Sequence, residues 1–313
     1  MYVSHPAIAG IPLVLGGNVF GWTANRDTSF AILDAFYVAG GRMIDTADVY
    51  SAWVPGHRGG ESEAVLGDWL ESRGVRQDMR IHTKTGMLAP GGGDPSLYDP
   101  QRIAHSLQQS LDRLRTDYID LYYAHRDYTE LSASDIVAAF TGAAEGKVRA
   151  FGVSKFSAAR LEAVLSASKA SGGMAITALQ NEYNLVSRAD YGLDLQAICT
   201  ASGVAMLPFF GLANGFLSGK YRVEADLGKS VRGMRLQQLI VTGKPMLAAM
   251  DQIAAETGAS HAAIALAWLR HQPGIAAPIA SATRVEQLVQ LIESAALELS
   301  DDQVERLSAV QLG

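Results

Sequence analysis

Gly41-Arg-Met-Ile-Asp-Thr-Ala-Asp-Val-Tyr50 is the stretch from which the rest of the chain is read. Met43-Ile44 is a short apolar run with the look of a buried strand, and it ends on Asp45. A polar, irregular stretch follows at once and carries Tyr50 five residues on. A carboxylate at the end of a buried strand is costly unless a cation pairs with it. The cation has to come from another strand end.

On either side, the same unit repeats. Short apolar runs at 11–15, 43–45, 81–83, 118–123, 150–153, 176–179, 204–207 and 275–279 predict eight strands. Helical spacing follows seven of them before the next strand. Asp27 or Thr28 caps a helix through Ile32, Leu33, Phe36 and Val38, and Glu61 to Ser72 buries Val65, Leu66, Trp69 and Leu70. Asp99-Pro100 opens another through Ile103, Leu107, Leu111 and Leu114. Further helices are predicted at 135–144, 158–170, 192–201, 246–256, 261–270 and 285–293, and a last short one is capped by Ser300. Strand–helix alternation requires a parallel sheet, and eight units close it into a (β/α)8 TIM barrel with long loops at its C-terminal face. A doubly wound sheet is the rival. Gly16-Gly-Asn-Val-Phe-Gly21 does not fit its G-x-G-x-x-G phosphate loop. Residues 1–313 read as a single domain, with no linker visible.

Composition excludes several classes. With 26 basic and 32 acidic residues the net charge is −6, and no Lys/Arg run offers a footprint for nucleic acid. Cys199 is the single cysteine, so no intrachain disulfide forms, and it sits mid-helix. No two of the seven histidines have H-x-x-x-H spacing, so no metal cage is expected. No apolar run approaches the roughly 18 residues of a membrane span. With no signal-peptide pattern at the start, a cytoplasmic location is expected.

In a barrel, the loops after the strands share one face, and chemistry sits there. The strand ends supply Asp45, Lys84, His125, Ser154, Lys155, Gln180 and Ser281, with Tyr50 on the adjoining loop. A Lys84 ammonium near Asp45 would neutralise the carboxylate. Near the Tyr50 hydroxyl it would favour phenolate, lowering a pKa of about 10 toward working pH. Tyr50 could then exchange a proton with a carbonyl or alcohol oxygen, with His125 donating a hydrogen bond to it. Positioned acid–base catalysis of this kind contributes about 10²–10⁴ in rate. An acid without a nucleophile or metal suits hydride transfer. Each residue singly also has an ordinary structural reading: a turn-capping Asp, a surface Lys, a satisfied His, a loop aromatic.

The stretch 41–50, Thr83-Lys84, Ser110-Leu-Asp-Arg-Leu-Arg-Thr-Asp-Tyr-Ile-Asp-Leu-Tyr-Tyr-Ala-His125, Gly152-Val-Ser-Lys-Phe156, Leu179-Gln-Asn-Glu-Tyr-Asn184, Gly215-Phe-Leu-Ser-Gly-Lys220 and 278–287 together resemble the aldo-keto reductase superfamily. The matches run in order over nearly the whole chain. The resemblance implies a barrel binding NADP(H), with NAD as the other possible cofactor, and a small-molecule carbonyl or alcohol substrate. It implies a catalytic tetrad of Asp45, Tyr50, Lys84 and His125, with Tyr50 as acid/base. It implies cofactor contacts from Gly17, Asn18, Ser154, Lys155, Gln180, Phe209, Leu212, Gly215, Lys220, Ser281, Arg284 and Gln287. Lys155 stands where the family usually has Asn, Phe209 where it usually has Tyr, Gly211 where Pro is common, and Gln290-Leu291 where Glu-Asn is common. Trp22 and Trp53, with Tyr123 or Arg126, would line the substrate pocket, and the 51–60 loop and 211–244 excursion would serve as lids. The leading expectation is reversible NADP-dependent interconversion of an aldehyde or ketone and its alcohol. A channel-subunit-like regulatory protein that binds the cofactor and turns over slowly is the alternative. An isomerase or lyase using Lys84 as a Schiff-base amine is a third.

Overall fold

In a computed structural model that describes residues 5–312 apart from 90, 145 and 232, eight short parallel strands form one sheet. They are β1 (Val14–Gly16), β2 (Met43–Asp45), β3 (Arg80–Thr85), β4 (Leu121–Ala124), β5 (Phe151–Ser154), β6 (Ile176–Gln180), β7 (Ala205–Met206) and β8 (Ile279–Ala280). The hydrogen-bonded order runs β7-β6-β5-β4-β3-β2-β1-β8. The ring closes between β7 and the residues leading into β8. Met206 N–H donates to the Gly274 carbonyl (2.9 Å), Ala276 N–H to the Met206 carbonyl (2.9 Å) and Ile279 N–H to the Pro208 carbonyl (2.9 Å). The molecule is the (β/α)8 barrel that the strand–helix alternation predicts.

The outer layer comprises α1 (Arg26–Val38), α2 (Glu61–Arg73), α3 (Pro100–Leu114), α4 (Ala133–Ala143), α5 (Ala158–Ser171), α6 (Leu193–Ser202), α7 (Leu239–Thr242), α8 (Lys244–Thr257), α9 (His261–Arg270), α10 (Val285–Ala296) and α11 (Asp301–Ala309). Between β7 and α7 the described residues make three 3-10 turns, Ala213–Ser218, Glu224–Lys229 and Gly233–Leu236. Among the described residues no helix is long and apolar enough to cross a membrane.

Several boundaries differ from the sequence reading for identifiable reasons. The run expected at 275–279 forms strand only at Ile279–Ala280, because its first half bonds to β7 and its end to β1. Such an offset belongs to the stagger of a closed barrel. The run expected at 118–123 becomes strand only at Leu121, with Ile119 making a single bridge to Val148. The cap of α1 is Asn25, whose Oδ1 accepts from Thr28 N–H, and Asp27 lies in the first turn instead. Val38, grouped with the buried face of α1, is 85% exposed. It follows Phe36 by two residues, or about 200° around the helix axis.

Inside the ring, Val14, Met43, Leu121, Tyr123, Ala150, Ala178, Ala205, Leu207, Ala277 and Ile279 pack together. Ala7 and Ile8 belong to the same cluster, and the Ala7 carbonyl accepts from His82 Nε2–H at 2.8 Å. Large side chains come from β1, β2 and β4, and alanines from the β5, β6 and β7 walls. The Tyr123 ring fills space that β5 leaves open at Gly152, where a Cβ would lie 2.3 Å from it.

Candidate active site

β2 and β3 run side by side in register, Asp45 opposite His82, so that Asp45 and Lys84 both leave the strands at the C-terminal rim. Both are buried, Lys84 completely. Lys84 Nζ donates to Asp45 Oδ2 (2.7 Å), to the Thr46 carbonyl (2.7 Å) and to the Tyr50 hydroxyl oxygen (3.1 Å). From the opposite wall, Gln180 Nε2 at the end of β6 donates to Asp45 Oδ1 at 2.9 Å. The carboxylate predicted to need a cation has one, and an amide besides. Burial alone would push the Lys84 ammonium down, but Asp45 and Tyr50 outweigh it and its pKa lies above the ordinary lysine value.

The loop that carries Tyr50 is tied down at its far end. Gly60 N–H donates to the Tyr50 carbonyl (2.8 Å), and the Glu61 carboxylate accepts from Arg58 (2.8 Å), Gly59 (3.1 Å) and Ser51 (3.3 Å) N–H groups. Ser51 Oγ also meets His57 Nδ1 at 2.9 Å. The Tyr50 ring packs edge-on against His125 (6.0 Å between centroids) and Trp53 (5.7 Å), and Trp53 against Trp22 (5.6 Å). His125 is buried, with Nδ1 lacking a hydrogen-bond partner among the described residues. Burial, then the cations Lys84, Lys155 and Arg126, hold its pKa well below the usual histidine value, so its ring is neutral at physiological pH.

The remaining residues singled out by sequence lie at other points around the barrel. At the β1–β8 rim, Ser281 Oγ donates to Asn18 Oδ1 at 2.8 Å, and Gly17 N–H donates to the Asp45 carbonyl at 2.7 Å. Ser154 is buried at the end of β5, in register with Gln180. Phe209 borders the barrel interior and packs against Phe210 at 5.2 Å. In the 211–220 loop, Ala213, Asn214 and Gly215 have left-handed backbone in succession, and the Leu212 carbonyl accepts from Gly215 and Leu217. Lys220 Nζ lies 5.0 Å from the Tyr221 ring centroid. Arg284 caps α10 with its side chain largely exposed, 3.8 Å from Glu286, while Gln287 Oε1 accepts from Thr283 N–H and Oγ–H. Leu291 faces the core and Gln290 is exposed.

Sequence reasoning gave no part to the acids that the threonines on either side of Lys84 hold. Asp48 Oδ2 accepts from the Thr85 hydroxyl at 2.6 Å, and its Oδ1 has no hydrogen-bond partner among the described residues. Glu63 is fully buried, accepting from Thr83 Oγ–H (2.6 Å) and from Arg113 Nε–H (2.8 Å). The signal was present: an acid between Asp45 and Tyr50, and threonines flanking Lys84 on both sides. Among the described residues no group of three or more His, Cys, Asp or Glu is placed to hold a metal ion.

A closed parallel barrel that gathers a buried lysine–carboxylate pair and a tyrosine on its C-terminal rim is the layout of a barrel enzyme. The chain belongs to the aldo/keto reductase family, whose model matches residues 12–311. It is 31% identical to norsolorinic acid reductase stcV of Emericella nidulans over 95% of this chain and 78% of that protein. It is 30% identical to the aryl-alcohol dehydrogenase [NADP(+)] of Phanerodontia chrysosporium, over 91% of this chain and 76% of that one. In fold it is similar to the thermostable aldo-keto reductase Tm1743, solved with the inhibitor epalrestat. The TM-score is 0.75 and the identity 24%, with 99% of both chains covered.

Proposed function

We propose that the protein interconverts an aldehyde or ketone and its alcohol with NADP(H), using Tyr50 as the proton donor and acceptor. The observation that carries this reading is the contact of Lys84 with both Asp45 and the Tyr50 oxygen at the rim. Asp45 holds the ammonium, and the ammonium holds the phenol oxygen. Tyr50 gives its proton to the carbonyl oxygen in reduction and takes it back in oxidation. His125, neutral and beside Tyr50, donates a hydrogen bond to the same oxygen. NADP(H), when bound, supplies or accepts the hydride at the carbonyl carbon.

The chain has groups suited to the cofactor. Lys220 makes no ion pair among the described residues and flanks the left-handed 213–215 backbone, suiting a phosphate. The Asn214 Oδ1 is buried without a hydrogen-bond partner among the described residues, an acceptor that a ribose hydroxyl would satisfy. Arg284 suits a 2′-phosphate, since guanidinium matches phosphate geometry. The Phe209 ring offers a face for the nicotinamide, and Ser154 a hydroxyl for its carboxamide. Gln180 would share its amide between Asp45 and that group. The relative whose name specifies NADP(+) supports the cofactor choice, and the paired Trp22 and Trp53 suit an aryl substrate.

Tyr50→Phe tests the reading. Reduction of benzaldehyde by NADPH should fall by about 10²-fold or more, while NADPH still binds by fluorescence titration. A variant as fast as the wild type would remove Tyr50 from the chemistry. Tight NADPH binding with no turnover of any carbonyl would favour a regulatory protein, and equal affinity for NADH would remove the role given to Arg284.

A further inference from the structure

Arg126 and Lys155 are two cations on the rim beside His125 that the reaction above does not use. Strand register sets their relation: Thr85 pairs with Ala124, and Ala124 with Val153. Met87, Arg126 and Lys155 each follow two residues farther on, just past the ends of three neighbouring walls. Lys155 Nζ lies 3.7 Å from Met87 Sδ, its one hydrogen-bond contact among the described residues. It is 6.0 Å from the Phe209 ring centroid. The Arg126 guanidinium donates to the Gly91 carbonyl at 3.1 Å and lies 5.3 Å from the Tyr128 ring centroid.

Neither cation has a carboxylate at ion-pair distance among the described residues. Asp127, next in sequence, is taken by Arg160 at 2.8 Å. Glu182 and Asp190 favour the charged Lys155 only from a distance, and Asp45 is committed to Lys84. Partial burial, then Arg126 and Lys84, lower the Lys155 pKa, and the same three cations act on His125. Like charges without a carboxylate partner repel even on an exposed rim, and an anion placed between them relieves the repulsion.

We infer that Arg126 and Lys155 form an anion subsite, and that the substrate is a carbonyl compound or alcohol carrying a carboxylate or phosphate group. The inference rests on the reductase reading for its term "substrate", though the subsite can be measured without turnover. The reacting carbonyl would meet Tyr50 and His125, with Trp53 on one side and the anionic group toward Met87, Arg126 and Lys155.

Two substrates of similar size separate charge from shape: 4-carboxybenzaldehyde and methyl 4-formylbenzoate. The wild type should favour the carboxylate by about tenfold or more in kcat/KM, chiefly through KM. The Arg126→Gln/Lys155→Asn variant should bring that ratio close to one, as should high salt in the wild type. A wild-type ratio near one, or a ratio that the substitutions leave alone, overturns the inference. If neither aldehyde is reduced, the reductase reading fails by itself, and binding decides the subsite. Terephthalate should then raise the melting temperature of the NADPH-loaded wild type and not of the double variant; equal shifts overturn the subsite. Inorganic phosphate added in place of terephthalate separates the two anion chemistries. A Lys155→Asn variant that weakens NADPH binding and keeps the wild-type ratio would assign Lys155 to the cofactor, against the inference.

Discussion

Asp48 lies midway between Asp45 and Tyr50, half-buried, with one oxygen on the Thr85 hydroxyl. Burial, with Glu63 adding to it against the pull of Thr85 and Arg113, raises its pKa from 3.8 to about 7. An acid raised in the folded state stabilises below its unfolded pKa, and that stability is lost as pH rises through the folded value. Here the window runs from 3.8 to about 7, and the shift corresponds to something on the order of 4 kcal/mol. Asp48→Asn keeps an acceptor for Thr85 and cannot ionise. Urea unfolding should therefore show the variant gaining on the wild type from about pH 4 to about pH 7. A gap that stays constant with pH would mean that Asp48 does not titrate there. Of the residues around it, Asp45, Tyr50, Lys84 and His125 were legible from sequence because each ends a predicted strand or follows one. Asp48 and Glu63 were missed, because their signal lies in the threonines on either side of Lys84 and not in the acids themselves.

At the scale of elements, apolar runs and turn residues located the strands, yet only backbone bonding determined where each one starts and stops. The residues at 275–279 read as one strand and instead divide their bonds between two neighbours. Side-chain volume across the barrel was also outside what pattern reading reaches, because Gly152 and Tyr123 belong to different strands and meet only in the ring. Gly152→Ala would place a Cβ 2.3 Å from the Tyr123 ring. Overpacking of this kind costs about 1–3 kcal/mol. Adding Tyr123→Leu should recover most of the loss in a urea titration. Full additivity of the two substitutions would show that the contact is not the cause.

For the whole molecule, the expectation of one domain rests on a barrel that encloses a single interior from Ala7 to Ile279. Unfolding monitored by tryptophan fluorescence and by far-UV circular dichroism should then give coincident transitions, and two separated midpoints would divide the chain. Four hydrogen-bonded groups also span the barrel mouth from wall to wall: Gln180 on β6, Asp45 on β2, Lys84 on β3 and Tyr50 beyond β2. An ammonium has three hydrogens, and Lys84 gives one to Asp45, one to Thr46 and one to Tyr50. Its valence is full. No lone pair is left for a Schiff base unless the tripod is dismantled, and a planar guanidinium in its place could not reproduce the three directions. The phenol oxygen is a receiver in this array, so the Tyr50 proton must point away from Lys84. Asp45 receives from both of its neighbours and Lys84 gives to both, so the array turns at each of them and its proton exchange falls to the tyrosine end.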